Sequence, residues 1–213
     1  MFLDNQPILQ KLYMLTIWIS RLATVNLLWL IFTLLGLGLF GIGPATLAMS
    51  VVISRWIDRD DSFSVLKVFI NVYRKYFFKS NLICLLLVLV SGMLVYNYLF
   101  IEINSFPMFY RVITVAMGIL HVLISLIIIP LYTNNEVGII ELFKTSALFV
   151  IGYPINSLVI AVATAGLIVI QLFMPGLLFF FSGSSMIFVV ILRIKRALEK
   201  TKELQQGKSV IEV

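Results

Sequence analysis

The residues of this sequence that could take part in chemistry are isolated polar side chains inside long apolar runs. The one histidine, His121, is followed a helical turn later by Ser125, and Asn26 and Gln171 each stand among apolar neighbours. A polar group is costly in an apolar environment, so each is a candidate site. An imidazole beside a hydroxyl can act as a general base, but a hydrogen bond between helices is the more frequent role.

The sequence lacks the residue sets that common enzyme and cofactor sites require. One histidine and one cysteine, Cys84, are too few for a multi-histidine or thiolate metal site. There is no G-x-S-x-G, no glycine-rich phosphate loop and no H-E-x-x-H motif. We therefore predict no catalytic residue, no metal ion and no cofactor.

The elements that must position these side chains are long apolar segments. Each is about as long as the 20 residues that a helix needs to cross a bilayer, and each must be helical because lipid offers the backbone no hydrogen-bond partner. Five runs contain no charged residue: Leu22–Phe40, Leu82–Phe100, Val112–Pro130, Leu158–Met174 and Leu177–Leu192. The sequence therefore predicts an all-α, polytopic transmembrane helical bundle in which residues 1–213 form a single integral membrane domain.

The composition agrees with a membrane protein. The 213 residues are 61% hydrophobic and 12% charged, and the mean hydropathy is +1.08. A net charge of +6 would suggest nucleic acid for a soluble protein, but here the basic residues flank the apolar runs. We expect the lipid bilayer as a partner and no nucleic acid.

The distribution of Lys and Arg distinguishes five crossings from six. Four glycines and Pro44 form a turn-rich stretch after the first run, and a helix beginning at Pro44 would return the chain through the membrane. With that extra helix, all but one of the 16 Lys and Arg residues lie on the cytoplasmic side, against all but three with five crossings. We prefer six segments, with both termini cytoplasmic and a helical tail at 193–213. The expected segments are about 22–40, 44–57 (short or re-entrant), 82–100, 112–130, 155–174 and 177–192.

Two amphipathic stretches precede later segments. Asp60 and Asp61 suit the start of a helix that lies at the cytoplasmic surface and leads into the run from Leu82. A second stretch ends near Gly152 and Pro154, and the similar approach to both runs suggests a weak internal repeat. Such helices either anchor the topology or dock a partner. The candidate docking residues are Tyr73, Arg74, Lys75, Tyr76, Phe77, Asn81 and Asn156.

The first half of the chain carries a recognisable combination of short motifs. These motifs are Asn26-Leu27-Leu28-Trp29, Gly43-Pro44-Ala45-Thr46-Leu47-Ala48, Arg55-Trp56-Ile57, the acidic turn Asp58–Asp61, Tyr76-Phe77 and Lys79-Ser80. The combination resembles the YesL-like family of bacterial membrane proteins, which is defined as a domain of unknown function. The resemblance implies a multi-pass inner-membrane protein, often encoded near carbohydrate-uptake ABC transporter components and polysaccharide-degrading enzymes.

Three functional hypotheses, two of them leading, follow from the residues and the resemblance. The first is a non-enzymatic accessory or regulatory protein that binds subunits of a carbohydrate ABC-type transporter. The alternative is a small-solute permease or channel-like transporter, and an enzyme acting on lipid or glycan comes third. For either leading hypothesis, Asn26, Gly43, Pro44, His121 and Gln171 form the candidate intramembrane polar or hinge site. The sequence does not indicate an oligomeric state.

Overall fold

The computed structural model describes residues 7–133 and 137–211, with side chains for 8–133 and 137–201. Within these ranges the chain is built from helices alone. Their bounds are α1 Pro7–Leu35, α2 Leu39–Ile57, α3 Val65–Lys75, α4 Phe77–Ile103, α5 Met108–Tyr132, α6 Ile139–Gly152, α7 Pro154–Phe173 and α8 Pro175–Ile211. Six helices (α1, α2, α4, α5, α7 and α8) are long and apolar enough to cross a membrane. The prediction of an all-α polytopic bundle is confirmed.

The first turn lies earlier than the sequence suggested. It occupies Gly36 to Gly38, where Leu37 and Gly38 have φ of 57° and 76°, and a glycine adopts such an angle without strain. Helix α2 consequently starts at Leu39 and has 19 residues. The expectation that Pro44 lies in the first turn of this helix was wrong, because Pro44 lies inside α2.

The main core lies between α1, α2 and α8. Val25, Val52 and Ile191 are almost fully buried there, and Phe69 of α3 closes one side. Helix α8 is continuous from Pro175 to Ile211, so the last expected segment and the expected tail are parts of one helix. Two further clusters join the end of α5 to α2, α4, α6, α7 and α8.

Helix α3 is amphipathic as expected, but its apolar face packs against protein rather than against lipid. Phe69 is fully buried with its ring centroid 5.1 Å from that of Phe32, and the Tyr73 hydroxyl donates to the Phe32 carbonyl at 3.1 Å. At the other end, the ring of Phe63 contacts that of Trp56 near the end of α2. Helix α3 therefore packs mainly against α2 and contacts α1 through Phe32.

The acidic turn between α2 and α3 ties three helices together. Asp61 pairs with Arg21 of α1 at 2.8 Å, and Asp58 pairs with Lys195 of α8 at 2.6 Å. The expectation that Asp60 and Asp61 begin a helix was wrong, because Ser64 precedes the first residue of α3. Asp60 instead accepts hydrogen bonds from the backbone and side chain of Ser62, which lower its pKa.

We expect Lys195→Met to lower the free energy of unfolding by about 1–2 kcal/mol, because the ammonium is largely buried and also donates to the Ser54 carbonyl at 2.9 Å. Thermal unfolding of the purified protein measures the change. Arg196→Met is the matched control, since Arg196 is an exposed neighbour in the same helix. An equal loss in both variants would show that the ion pair is not the cause.

A single tyrosine separates each short helix from the membrane helix that follows it. Tyr76 stands between α3 and α4, and Tyr153 stands between α6 and α7. Four residues after each tyrosine, a buried serine (Ser80 or Ser157) donates its N–H to the tyrosine carbonyl. The similar approaches noted in the sequence therefore correspond to a repeated helix–tyrosine–helix arrangement.

Helices α4 and α5 form a long hairpin that leaves the bundle. Leu87 and Leu123 mark the last positions on each helix that join the three cores. Beyond them, the two helices bond each other: Ser91 to His121 at 2.8 Å, Thr114 to Asn97 at 3.0 Å, and Arg111 to Glu102 at 3.3 Å. Most other side chains in this distal part are exposed.

Candidate functional site

Asn26 is the most completely bonded of the predicted polar residues. It is fully buried, its amide nitrogen donates to the Phe179 carbonyl at 2.8 Å, and its oxygen accepts from the N–H groups of Gly183 and Ser184 at 3.0 Å. In a regular α-helix, the carbonyl of residue 179 and the N–H of residue 183 bond each other. One side chain of α1 thus holds both partners of a backbone pair in α8.

Gly183 lies at the point of this contact. A Cβ atom there would lie 3.0 Å from the terminal methyl of Met49 and 3.5 Å from the Asn26 oxygen. Gly183 lies in the run Ser182-Gly183-Ser184-Ser185, and small residues of this kind allow membrane helices to approach closely. Gly183 was not among the predicted site residues, although this run of small residues is a signal that could have identified it.

Gln171 of α7 contacts the same part of α8 that Asn26 of α1 contacts. It is buried in α7, and its amide nitrogen donates to the Ser185 hydroxyl at 3.0 Å and to the Phe181 carbonyl at 3.3 Å. The structure therefore brings Asn26 and Gln171 onto one short stretch of α8. Their role in this arrangement is to join helices.

His121 belongs to a separate place in the fold. Its Nε2 atom lies 2.8 Å from the Ser91 hydroxyl across the α4–α5 hairpin, whereas Ser125 donates to the His121 backbone carbonyl. The predicted neighbour Ser125 is thus not the partner of the imidazole. Among the described residues, no group of three His, Cys, Asp or Glu side chains is arranged to hold a metal ion.

Gly43 and Pro44 meet the first turns of α4. A Cβ at Gly43 would lie 3.0 Å from the Ser80 carbonyl oxygen and 3.0 Å from the Cys84 sulfur. Pro44 has no N–H, so it cannot bond the Phe40 carbonyl four residues earlier. The Asn81 amide nitrogen donates to that carbonyl at 2.9 Å and to the Phe77 carbonyl at 2.9 Å. Asn81 therefore supplies the hydrogen bond that Pro44 cannot.

We expect Asn81→Leu to destabilise the protein by about 1 kcal/mol, and to cost much less in a Pro44→Ala background. Alanine at position 44 regains an N–H that can bond the Phe40 carbonyl within α2. The four thermal unfolding curves of the double-mutant cycle measure this coupling. Equal costs in both backgrounds would mean that Asn81 does not compensate for the proline.

Several residues expected to dock a partner make internal contacts. Tyr73 bonds α1, the ring of Tyr76 packs edge-on against Tyr132 at 5.5 Å, and Asn81 bonds α2. Phe77 is half-buried with its ring 5.7 Å from that of Tyr73, and Lys75 is exposed with its ammonium 4.8 Å from the Tyr76 ring centroid. Arg74 is exposed, and Asn156 is half-buried in the first turn of α7.

Comparison with known proteins agrees with the resemblance noted in the sequence. Residues 22–98 match the family described as "Protein of unknown function, DUF624". The chain is 34% identical over 188 residues to the uncharacterized protein YteU of Bacillus subtilis (strain 168), which covers 84% of each chain. The chain belongs to the DUF624 family.

Two other Bacillus subtilis (strain 168) proteins are similar to this DUF624 chain, and both are described as uncharacterized. YesL is 29% identical over 78% of this chain and 79% of its own, and YesV is 27% identical over 86% and 89%. No solved structure matches the chain. The matched DUF624 segment contains Asn26, Gly43, Pro44 and Asn81, whereas His121 and Gln171 lie outside it.

Proposed function

We propose that this protein is a non-enzymatic accessory component of a bacterial inner membrane, which binds the membrane-spanning subunit of a carbohydrate ABC-type transporter. The genomic setting that the family resemblance implies supports this class of partner. The polar side chains described above support a scaffold role, because Asn26, Gln171 and Asn81 each bond the backbone of a neighbouring helix.

The observation that carries the proposal is the distal part of the α4–α5 hairpin. Three polar pairs bond across the seam between the two helices, and most of the exposed side chains between that seam and the surroundings are apolar. That surface includes exposed aromatic and aliphatic side chains, among them Met93, Tyr96, Leu99 and Phe109. Aromatic residues and methionine are enriched in interfaces between proteins. A hairpin that extends beyond its own core offers a second membrane protein two helices to pack against.

Site-specific photo-crosslinking in the native host tests this proposal. A photoreactive residue replaces Tyr96 on the exposed face of α4, and a matched one replaces Ile8, which is equally exposed on α1. We expect mass spectrometry to find transporter membrane subunits crosslinked from position 96 and not from position 8. Crosslinks to lipid alone from both positions would contradict the proposal.

We also propose that both chain termini lie in the cytoplasm. Arg21 of α1 and Lys195 of α8 pair with Asp61 and Asp58 of the turn that follows α2, so this turn and the two basic residues lie at one end of α2. Positively charged segments stay on the cytoplasmic side of a membrane. Reporter fusions at each terminus test this placement, and a periplasmic signal at either end would contradict it.

The repeated helix–tyrosine–helix arrangement favours a second candidate, a small-solute permease. Many transporters are built from two related halves, and here α3–α4 and α6–α7 share the tyrosine break and the buried serine. Uptake of labelled sugars into proteoliposomes that contain only this protein would support this candidate. Uptake equal to that of empty liposomes would contradict it.

A further inference from the structure

A groove of about 670 Å³ lies beside the α1–α2 turn, bounded by the last turns of α3 and the first residue of α4. This volume is within the range of roughly 300–1,000 Å³ that is typical of small-molecule sites. Apolar side chains form most of its wall: Phe32, Leu35, Leu37, Phe40, Ile70 and Phe77. The groove is distinct from the helix contacts of Asn26 and Gln171.

The walls of this groove are held in place by packing. The Tyr73 hydroxyl, which also faces the groove, donates to the Phe32 carbonyl, and the Phe32 ring packs against both Phe69 and Tyr73 at 5.1 Å. Burial raises the pKa of Tyr73, and a tyrosine hydroxyl is in any case protonated, and thus a donor, at neutral pH. Tyr73 thus joins the α3 wall of the groove to α1.

Arg74 is the charged residue that lines the groove. It is exposed, no carboxylate lines the groove, and within the described residues Arg74 makes no ion pair. A guanidinium group binds phosphate through two parallel hydrogen bonds. One unpaired cation beside an apolar trough therefore complements a molecule with an anionic head and an apolar chain.

We propose that this groove binds an anionic phospholipid, with the phosphate on Arg74 and an acyl chain along Phe32, Phe40 and Ile70. The neighbouring residues Leu35, Leu37 and Phe40 are exposed on the turn between two candidate membrane helices. Lipid surrounds such a surface in a membrane, and the positive charge of Arg74 favours anionic lipids over neutral ones.

Native mass spectrometry of the full-length protein tests the proposal, using detergent micelles with equal phosphatidylglycerol and phosphatidylcholine. We expect the wild type to retain phosphatidylglycerol in preference to phosphatidylcholine, and Arg74→Gln to lower that retention about tenfold. Lys67→Gln is the matched control, because Lys67 is an exposed cation of α3 that does not line the groove; it should leave retention unchanged. Ile70→Trp, which keeps the charge and fills the trough, should also lower retention.

Other results would overturn the proposal. Equal retention of the two lipids by the wild type, or equal losses in Arg74→Gln and Lys67→Gln, would show that the groove has no anionic lipid site. Stabilisation by inorganic phosphate as large as that by phosphatidylglycerol would assign Arg74 to a free anion. If Arg74→Gln does not fold, Ile70→Trp decides the question, and unchanged retention in that variant would also refute the lipid site.

Discussion

Replacing Asn26 by leucine is expected to lower the free energy of unfolding by about 2–3 kcal/mol, which is large for one membrane-buried side chain. The substitution removes three hydrogen bonds to one turn of α8. It also places an apolar group against the N–H groups of Gly183 and Ser184, which lose their side-chain acceptor. Thermal unfolding in detergent, followed by the fraction of protein that remains monodisperse, measures the loss.

Asn104→Leu provides the control for this prediction. Asn104 is exposed, and its amide bonds the Phe100 carbonyl of the preceding helix turn. Its replacement should change stability by less than about 0.5 kcal/mol. If both asparagine variants lost the same stability, the bridge from α1 to α8 would not be a major support of the bundle.

Gly41→Ala is expected to disrupt the α1–α2 hairpin, with a loss of about 3 kcal/mol or more. A Cβ at this position would lie 2.4 Å from the Thr33 carbonyl oxygen and 2.7 Å from the Thr33 Cα. Both atoms belong to backbone, so the two helices would have to move apart. Unfolding temperature and yield of folded protein report the effect.

Gly92→Ala separates this steric effect from helix propensity. Gly92 lies in α4 with no atom near its Cβ position, and alanine favours a helix over glycine by about 1 kcal/mol. We expect Gly92→Ala to be neutral or stabilising. A tolerated Gly41→Ala would show that α1 and α2 can separate at little cost.

The number of membrane segments and the role of Asn26 and Gln171 as links between helices were predictable from the sequence. Length and the absence of charge mark a membrane helix, and an isolated amide in such a helix needs a partner. The residue to which each amide side chain bonds was not predictable. Whether Asn81 bonds α2 depends on the register of α4 against α2, which no local pattern reports.

The position of the first turn and the surroundings of α3 could not be predicted from the local sequence pattern either. Gly36, Gly38, Gly41 and Gly43 can each take part in a turn, and the structure places the turn at Gly36 to Gly38 and leaves Gly41 and Gly43 inside α2. An amphipathic pattern is the same whether its apolar face meets lipid or protein. The aromatic contacts of Phe69 and Tyr73 with Phe32 fix α3 against the bundle.

Because only Tyr76 separates α3 from α4, the orientations of these two helices are closely coupled. There is no flexible linker between the two helices. A displacement of α3 away from α1 would therefore also displace the start of α4. Two bonds near the start of α4 would oppose that displacement, one from Lys79 to the Val137 carbonyl and one from Asn81 to the Phe40 carbonyl. Conversely, a change in the tilt of the α4–α5 hairpin would move Phe77 and the end of α3, which both line the groove beside Arg74.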